Sequence, residues 1–174
     1  MAFIVETGAG LEGANSYVSV EFATDYHVNE NLNSDSWTTN SIEKQEQGLV
    51  TATRILDDNY NWHGFIEHKN QVLQWPRYAD HITSVYQRYY HYDDFQVESG
   101  TVPLQLKKAT AELARLLLAT NRLADKEVGL KSVNMGVTIN FDKNDRIPII
   151  PKYIRDSLRK LGSFSSNNMR LRRS

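Results

Sequence analysis

The residues whose spacing most suggests chemistry are three glycines near the N-terminus, Gly8, Gly10 and Gly13, which form a G-x-G-x-x-G pattern. In dinucleotide-binding proteins these glycines let the backbone approach a pyrophosphate at a helix N-terminus, within a βαβ unit. Residues 3–5 could form the preceding strand, but turn-forming and β-branched residues occupy positions 14–18, where the helix should begin. No second apolar strand follows before about residue 130. The sequence therefore argues against a dinucleotide site.

The histidines and carboxylates offer no better candidate for catalysis or metal binding. The five histidines never occur with H-x-x-x-H or H-E-x-x-H spacing, and the chain contains no cysteine, so the usual zinc patterns are missing. Asp57 and Asp58 would point in different directions on a helix, because neighbouring residues are about 100° apart. We expect a helix-end charge there and a solvated loop at Asp93-Asp94. The sequence predicts no enzyme, no catalytic residue, no cofactor and no metal site.

Charge is distributed unevenly along the chain, although the formal net charge is only −1. Residues 1–100 contain five Lys or Arg against fifteen Asp or Glu, whereas residues 152–174 contain seven against one. A basic C-terminal arm on an acidic body favours an interaction tail; the alternative is a solvated helix with a frayed end. No apolar run approaches the ~18 residues that cross a bilayer, and no signal peptide is visible. We therefore expect a soluble protein with no membrane partner.

Apolar residues at helical spacing predict four helices, which must position everything else. They run from Val20 to about Val28, from Ser41 to about Tyr60, from Pro103 to about Ala124 and from Pro151 to Leu161. Ser19 can cap the first, and Gly162 would end the last. Gly48, inside the second, predicts close packing against another backbone. Residues 29–40 are expected to form a loop anchored by Trp37, and residues 62–103 a long irregular connection in which Trp75 fills the core.

The period of the apolar residues changes to two after residue 131. Five apolar residues alternate with small or polar ones and predict a strand: Val133, Met135, Val137, Ile139 and Phe141. A turn at 142–145 and a returning strand at 146–150 would complete a β-ribbon over residues 131–150. Its apolar face is too large to leave exposed on a monomer, so we expect it to pack on the helices or on a neighbouring subunit.

The stretch from Tyr78 to Phe95 contains five Tyr and one Phe. Aromatic residues at this density in a loop favour an interface, and we assign Tyr86, Tyr89 and Tyr90 to a contact with another subunit or with a partner protein. The alternative is that they stack on single-stranded DNA bases. The predicted fold is mainly α: a small bundle of about four helices with a β-ribbon insertion and extended arms, residues 1–162 forming one domain and residues 163–174 a basic tail.

Several motifs, in order, resemble a family of tailed-bacteriophage head–tail connector (adaptor) proteins, many of which carry the label of DnaT-like single-stranded-DNA-binding proteins. The opening V-E-x-G-x-G-L-x-x-A-N-S-Y-V-S stands at residues 5–19. The later matches are R-I-L-D at 54–57, Y-N-W at 60–62, W-P-R at 75–77, V-P at 102–103 and A-T-A-E-L-A at 109–114. They cover most of residues 1–141. The Tyr-rich stretch is longer than the family's usual link.

The resemblance implies a structural virion protein that forms a ring, a dodecamer in this family, between the portal protein and a downstream tail protein. The genome would pass through the ring without specific binding. The expected location is the head–tail junction of the virion, and the host cytoplasm during assembly. We assign portal binding to six residues of the tail: Phe164, Met169, Arg170, Leu171, Arg172 and Arg173. The alternative function is that of a DnaT-like replication protein that binds single-stranded DNA.

Overall fold

The computed structural model describes residues 2–31, 34–78, 98–120, 132–134, 138–140 and 148–165. These ranges contain five helices: α1 (Val20–Glu30), α2 (Asp35–Thr38), α3 (Ile42–Asn59), α4 (Leu104–Ala119) and α5 (Lys152–Leu158). Helices α3 and α4 pack together at the centre, and α1, α2 and α5 each contact α4. The described part of the chain is thus mainly helical, in agreement with the predicted fold class; α2 is the helix that the sequence pattern did not indicate.

The helix boundaries follow from local hydrogen bonds. Ser19 caps α1 as predicted, because its Oγ accepts a hydrogen bond from the backbone N–H of Phe22 at 3.2 Å. The predicted end of α4 at Ala124 is wrong. Thr120 is extended, and both its backbone N–H and its hydroxyl donate to the carbonyl of Leu116. The β-branched Thr120 therefore closes the last turn of α4.

Close packing of α3 against α4 explains the glycine at position 48. A Cβ on Gly48 would lie 3.3 Å from Cγ of Leu118 and 3.6 Å from the carbonyl oxygen of Ala114. The predicted close approach is therefore confirmed. Around this crossing the core is made of fully buried side chains from α3, α4, α5 and the connecting segments, including Leu49, Leu56, Leu106, Leu113 and Leu158. Trp37 is also fully buried, so its predicted role as an anchor is confirmed.

Three antiparallel pairs of short strands complete the described fold. β1 (Tyr60–Trp62) pairs with β6 (Gly162–Phe164), with Tyr60 opposite Phe164. β2 (Phe65–Ile66) pairs with β3 (Arg77–Tyr78), with Phe65 opposite Tyr78. β4 (Ser132–Asn134) pairs with β5 (Thr138–Asn140). The described part of the predicted irregular connection that precedes residue 79 is therefore more regular than predicted.

The predicted β-ribbon has a different register. Val133 lies opposite Ile139 in the β4–β5 pair, so both strands fall within the run predicted as one continuous strand. Ile149 and Ile150, assigned to the returning strand, are not in a strand. Apolar and polar residues alternate in the same way along one long strand and along two short ones, so the pattern does not distinguish the two structures. Gly136, inside the run, is a residue type that favours turns. The positions Met135, Val137 and Phe141 lie outside the described residues.

The C-terminal boundary also differs from the prediction. Gly162 does not cap a helix; it belongs to β6, where a Cβ would lie 2.8 Å from the carbonyl oxygen of Asn61. The glycine therefore permits the close approach of β6 to β1. Ser163 and Phe164, which were assigned to the tail, are strand residues, and the N–H of Ser165 donates to the carbonyl of Asn59. A tail separate from the fold can begin only at residue 166.

Candidate protein interface

The glycine-rich loop near the N-terminus folds around a carboxylate of its own chain. Oε1 of Glu6 accepts hydrogen bonds from the backbone N–H groups of Gly8 (2.8 Å) and Gly10 (3.0 Å), and Oε2 accepts one from Leu11 (2.9 Å). Gly8 and Gly10 have φ values of 104° and 67°, which favour glycine. Successive N–H groups in such a turn form an anion-binding concavity. Here the anion is Glu6, so the loop has no vacancy for a phosphate, and the rejection of a dinucleotide site is supported.

The same loop packs against two distant segments. A Cβ on Gly8 would lie 1.9 Å from the carbonyl oxygen of Gly100, and a Cβ on Gly10 would lie 2.2 Å from the His68 ring. Glu67 in turn accepts hydrogen bonds from the hydroxyl of Ser99 (2.8 Å) and from the N–H of Gly100 (2.6 Å). The N-terminal loop, the segment after β2 and the segment before α4 are therefore held together.

Asp57 is a half-buried hydrogen-bonding centre rather than the helix-end charge that the sequence predicted. Its Oδ1 accepts from the hydroxyl of Tyr17 (2.6 Å) and from Nε1 of Trp62 (3.3 Å), and its Oδ2 accepts from the N–H of Gln74 (3.1 Å). Burial raises the pKa of Asp57 to about 6, although these three hydrogen bonds act to lower it. Only the neighbour, Asp58, is exposed. The spacing gave no signal for this role, because all three donors lie outside the helix that carries Asp57.

Arg77, the arginine of the W-P-R motif, is used within the fold. Its Nε donates to the carbonyl of His63 (2.9 Å), and its two terminal nitrogens donate to the carbonyls of Gln74 (3.1 Å) and Gly64 (2.6 Å). Trp75, which the sequence placed in the core, is 3 % exposed, so that prediction is confirmed. The W-P-R element therefore joins the two ends of the segment from Trp62 to Tyr78. The Arg77 guanidinium is bound to backbone carbonyls of this segment.

A second carboxylate, Glu112 in the A-T-A-E-L-A motif of α4, joins three helices. Its oxygens accept hydrogen bonds from the hydroxyls of Tyr26 (3.2 Å) on α1 and Tyr153 (3.3 Å) on α5, from Asn31 (2.7 Å) and from Arg115 (3.0 Å). These contacts bring α1 and α5 to neighbouring positions around α4. The carboxylate of this motif thus holds helices together, and its hydrogen bonds are made to residues of the same chain.

The buried His27 makes hydrogen bonds with both of its ring nitrogens. Its Nε2 donates to the carbonyl of Ala111 (3.1 Å), and its Nδ1 accepts from the side chain of Asn31 (3.3 Å). Burial lowers the pKa of His27, which the hydrogen bond to Ala111 and the charge of Glu112 partly oppose. This histidine is a core residue of α1.

The largest exposed aromatic feature of the described chain is the pair of strands β2 and β3, which we call the aromatic hairpin (residues 65–66 and 77–78). Phe65 and Tyr78 are about half exposed, and their ring centroids are 5.8 Å apart. Ile66, which lies opposite Arg77 in the same strand pair, is 43 % exposed. Tyr78 leads into the predicted Tyr-rich interface. The described chain thus presents apolar and aromatic side chains where that segment starts, a composition typical of protein–protein contacts.

Most of the residues predicted to form interfaces cannot be placed. Phe164 is half-buried in β6, where its ring meets the Tyr60 ring edge-on at 5.7 Å and lies 5.0 Å from the Arg155 guanidinium. Val133 and Ile139 are strand partners in the β4–β5 pair. The others lie outside the described residues: Tyr86, Tyr89, Tyr90, Met135, Val137, Phe141, Met169, Arg170, Leu171, Arg172 and Arg173.

Within the described ranges, no group of three or more His, Cys, Asp or Glu could hold a metal ion. None of the helices described there is long and apolar enough to cross a membrane.

Comparison with known proteins identifies one family. A family model described as "putative DnaT-like ssDNA binding protein" matches residues 1–174, and the chain belongs to this family. Comparison with curated proteins and with solved structures finds no significant match.

Proposed function

We propose that this member of the DnaT-like family is a structural protein of a tailed bacteriophage, a head–tail adaptor that forms a ring between the portal and the tail. Its partners are the portal protein, a downstream tail protein and further copies of itself, a dodecamer by analogy with the family that its motifs resemble. The genome passes through without specific binding. The protein is located at the head–tail junction of the virion after assembly in the host cytoplasm.

The observation that carries this proposal is that two groups able to bind an anion are filled by the protein itself. The glycine loop holds Glu6, and the Arg77 guanidinium is bound to backbone carbonyls. Nucleic-acid affinity depends on neutralising phosphates with available cations. Since residues 1–100 also carry three times as many acids as bases, this part of the chain suits a wall along which DNA slides and is unsuited to grip DNA.

The exposed side chains of the aromatic hairpin support a role in assembly. A monomer gains nothing from exposing the neighbouring rings of Phe65 and Tyr78, and aromatic residues are enriched at protein interfaces. We assign this surface, with the Tyr-rich segment that follows it, to a contact with a neighbouring subunit or the tail. The β-ribbon keeps its proposed assembly role, and the basic tail from residue 166 onward keeps its proposed role in portal binding.

A second candidate function, single-stranded DNA binding, is favoured by the description of the family. In that case Phe65 and Tyr78 would stack on bases, since such stacking is sequence-tolerant and common in proteins of this class. The basic C-terminal segment would then supply the cations. This candidate places the same two surfaces against a nucleic acid instead of against proteins, so one pair of measurements separates the two functions.

The test uses the purified chain and a variant that lacks residues 166–174, which leaves β6 intact. One measurement is co-sedimentation with the portal protein, followed by electron microscopy of the complex. The other is fluorescence anisotropy with labelled oligo(dT) at low and at physiological ionic strength. We expect the full chain to add a ring to the portal, the truncated chain to fail to do so, and neither to bind oligo(dT) at physiological ionic strength. Oligo(dT) binding that persists at that salt concentration, without portal binding, would establish the second candidate.

A further inference from the structure

The outward faces of α1 and α5 carry opposite charge and share the same spacing. On α1, Glu21, Asp25 and Val28 occupy positions i, i+4 and i+7 and are exposed, while Ala23 and His27 on the opposite side are buried. Residues at this spacing lie on one stripe of a helix. Helix α1 contains no Lys or Arg, so its outward stripe is purely acidic, with an apolar end at Val28, which is 57 % exposed.

The stripe on α5 follows the same geometry with predominantly positive charge. Lys152, Asp156 and Arg159 occupy positions i, i+4 and i+7 and are exposed, Arg159 being the residue directly after α5 with helical φ and ψ; Ile154 and Leu158 on the opposite side are buried. Asp156 pairs with Lys152 at 2.7 Å, but both side chains are largely exposed, at 59 % and 82 %. An exposed pair of this kind contributes little stability, so Lys152 can exchange its partner for another carboxylate at small cost.

We propose that the acidic stripe of α1 (Glu21, Asp25, Val28) docks on the basic stripe of α5 (Lys152, Arg159) of a second copy of this chain. This inference rests on the proposed function in one respect, that the protein assembles with itself. The two stripes cannot meet within one chain, because both helices pack on α4 and turn these faces outward. Each copy therefore offers one acidic and one basic stripe, and contacts between unlike patches propagate head to tail, closing as a ring when the rotation permits.

Charge complementarity selects the second copy as the occupant. The acidic stripe needs a basic partner with an apolar neighbour for Val28. Next to the basic stripe, Ile149 is 41 % exposed and can supply that apolar contact. Each stripe spans seven residues, about 10 Å at 1.5 Å per residue, so their lengths match. Opposed charges across an interface determine orientation and specificity more than raw affinity, which is what a ring of identical subunits requires.

The experiment is a charge exchange between two full-length variants. In the first, Glu21→Arg and Asp25→Arg make both stripes basic; in the second, Lys152→Glu and Arg159→Glu make both stripes acidic. Glu43→Arg with Asp58→Arg is the matched control, since both residues are exposed acids of α3 outside the two stripes. Circular dichroism checks that each variant is folded. Analytical ultracentrifugation then follows assembly as a function of protein and salt concentration.

Each variant alone should require a protein concentration at least about tenfold higher than the native chain to assemble. A tenfold change corresponds to a loss of only about 1.4 kcal/mol of association free energy. An equimolar mixture of the two variants should assemble like the native chain, because each interface again joins one stripe of net negative charge and one of net positive charge. The control should behave like the native chain. The inference is overturned if the mixture fails to assemble, if the control is equally impaired, or if the native chain stays monomeric at its highest soluble concentration. Portal binding, measured separately, decides the proposed function whatever this result.

Discussion

Replacement of Asp57 by Asn should change how the stability of the protein depends on pH. In the folded chain, burial raises the pKa of Asp57 from 3.8 to about 6. Below pH 3.8 the group is protonated in both the folded and the unfolded states, and it makes no pH-dependent contribution. Between pH 3.8 and 6 the unfolded chain loses the proton first, so stability falls as the pH rises. Above pH 6 this cost is constant.

The size of the effect follows from the shift in pKa. A change from 3.8 to about 6 corresponds to about 3 kcal/mol, at 1.36 kcal/mol for each pH unit. Asn cannot ionise, so Asp57→Asn removes this cost. The Asn oxygen can still accept from Tyr17 and Trp62, but its NH₂ group would face the N–H of Gln74, which costs about 1–3 kcal/mol at every pH. The pH-independent loss and the pH-dependent gain are therefore separable.

The assay is urea unfolding, followed by tryptophan fluorescence, at several pH values between 4 and 8, a range chosen to include the transition of Asp57 at about pH 6. Asp58→Asn is the control, because the neighbouring side chain is exposed and makes none of these contacts. We expect the stability of Asp57→Asn relative to the native chain to rise by about 3 kcal/mol from acid to neutral pH. A difference that does not depend on pH, or the same rise in the control, would refute the assignment of a buried, ionising carboxyl group.

Three further predictions address other buried contacts. Glu6→Ala should lower the free energy of unfolding by about 3 kcal/mol or more, because three backbone N–H groups lose a charged acceptor; Glu12→Ala, an exposed control, should have little effect, and added formate should partly restore the first variant. Gly48→Leu should destabilise the α3–α4 crossing by about 1–3 kcal/mol through overpacking, measured by thermal unfolding against Gln47→Leu, which is on the exposed side. The folded pKa of His27 is lowered from its usual 6.5, so as the pH falls below 6.5 the unfolded chain takes up a proton at His27 while the folded chain does not, and the contribution of this group to stability decreases. The stability of His27→Gln relative to the native chain should therefore rise as the pH falls through that range; a constant difference would contradict the neutral, buried assignment.

The sequence predicted the helices well where a local signal marks them. Ser19 before α1 acts on a neighbour three positions later, and the glycine at the α3–α4 crossing is recognisable because glycine is costly inside a helix unless close packing requires it. The buried Trp37 and Trp75 were predicted for the same reason, since large aromatic residues in polar segments usually anchor loops in the core. These predictions required only composition and periodicity.

The hydrogen-bonding centres could not be predicted in the same way. Asp57 is paired with Tyr17, 40 positions earlier, and Glu112 with Tyr26, 86 positions earlier. No local pattern encodes such contacts, and a carboxylate at a helix end is usually solvated. The sequence did not predict the pairing of β6 with β1, for a related reason. A short polar stretch after a helix resembles a frayed end unless its distant partner strand is known. A glycine such as Gly162 is also favoured both at the end of a helix and where another strand approaches closely, so its presence does not distinguish the two structures.

The basic C-terminal region gives the decisive comparison between DNA binding and protein binding, because their salt dependences differ in a calculable way. Residues 152–174 contain seven Lys or Arg, so if all seven contacted single-stranded phosphates, log K would fall with log salt at a slope of about −5. Deleting residues 166–174 removes three arginines and should reduce that slope by about 2. An acidic body opposes the approach of DNA, so the measured slope could only be weaker than this limit. Binding to a portal through apolar anchors and Arg–carboxylate pairs should instead keep substantial affinity at high salt and lose it almost completely on deletion. A slope near −5 for oligo(dT), reduced by about 2 on truncation, would contradict the adaptor role for this region.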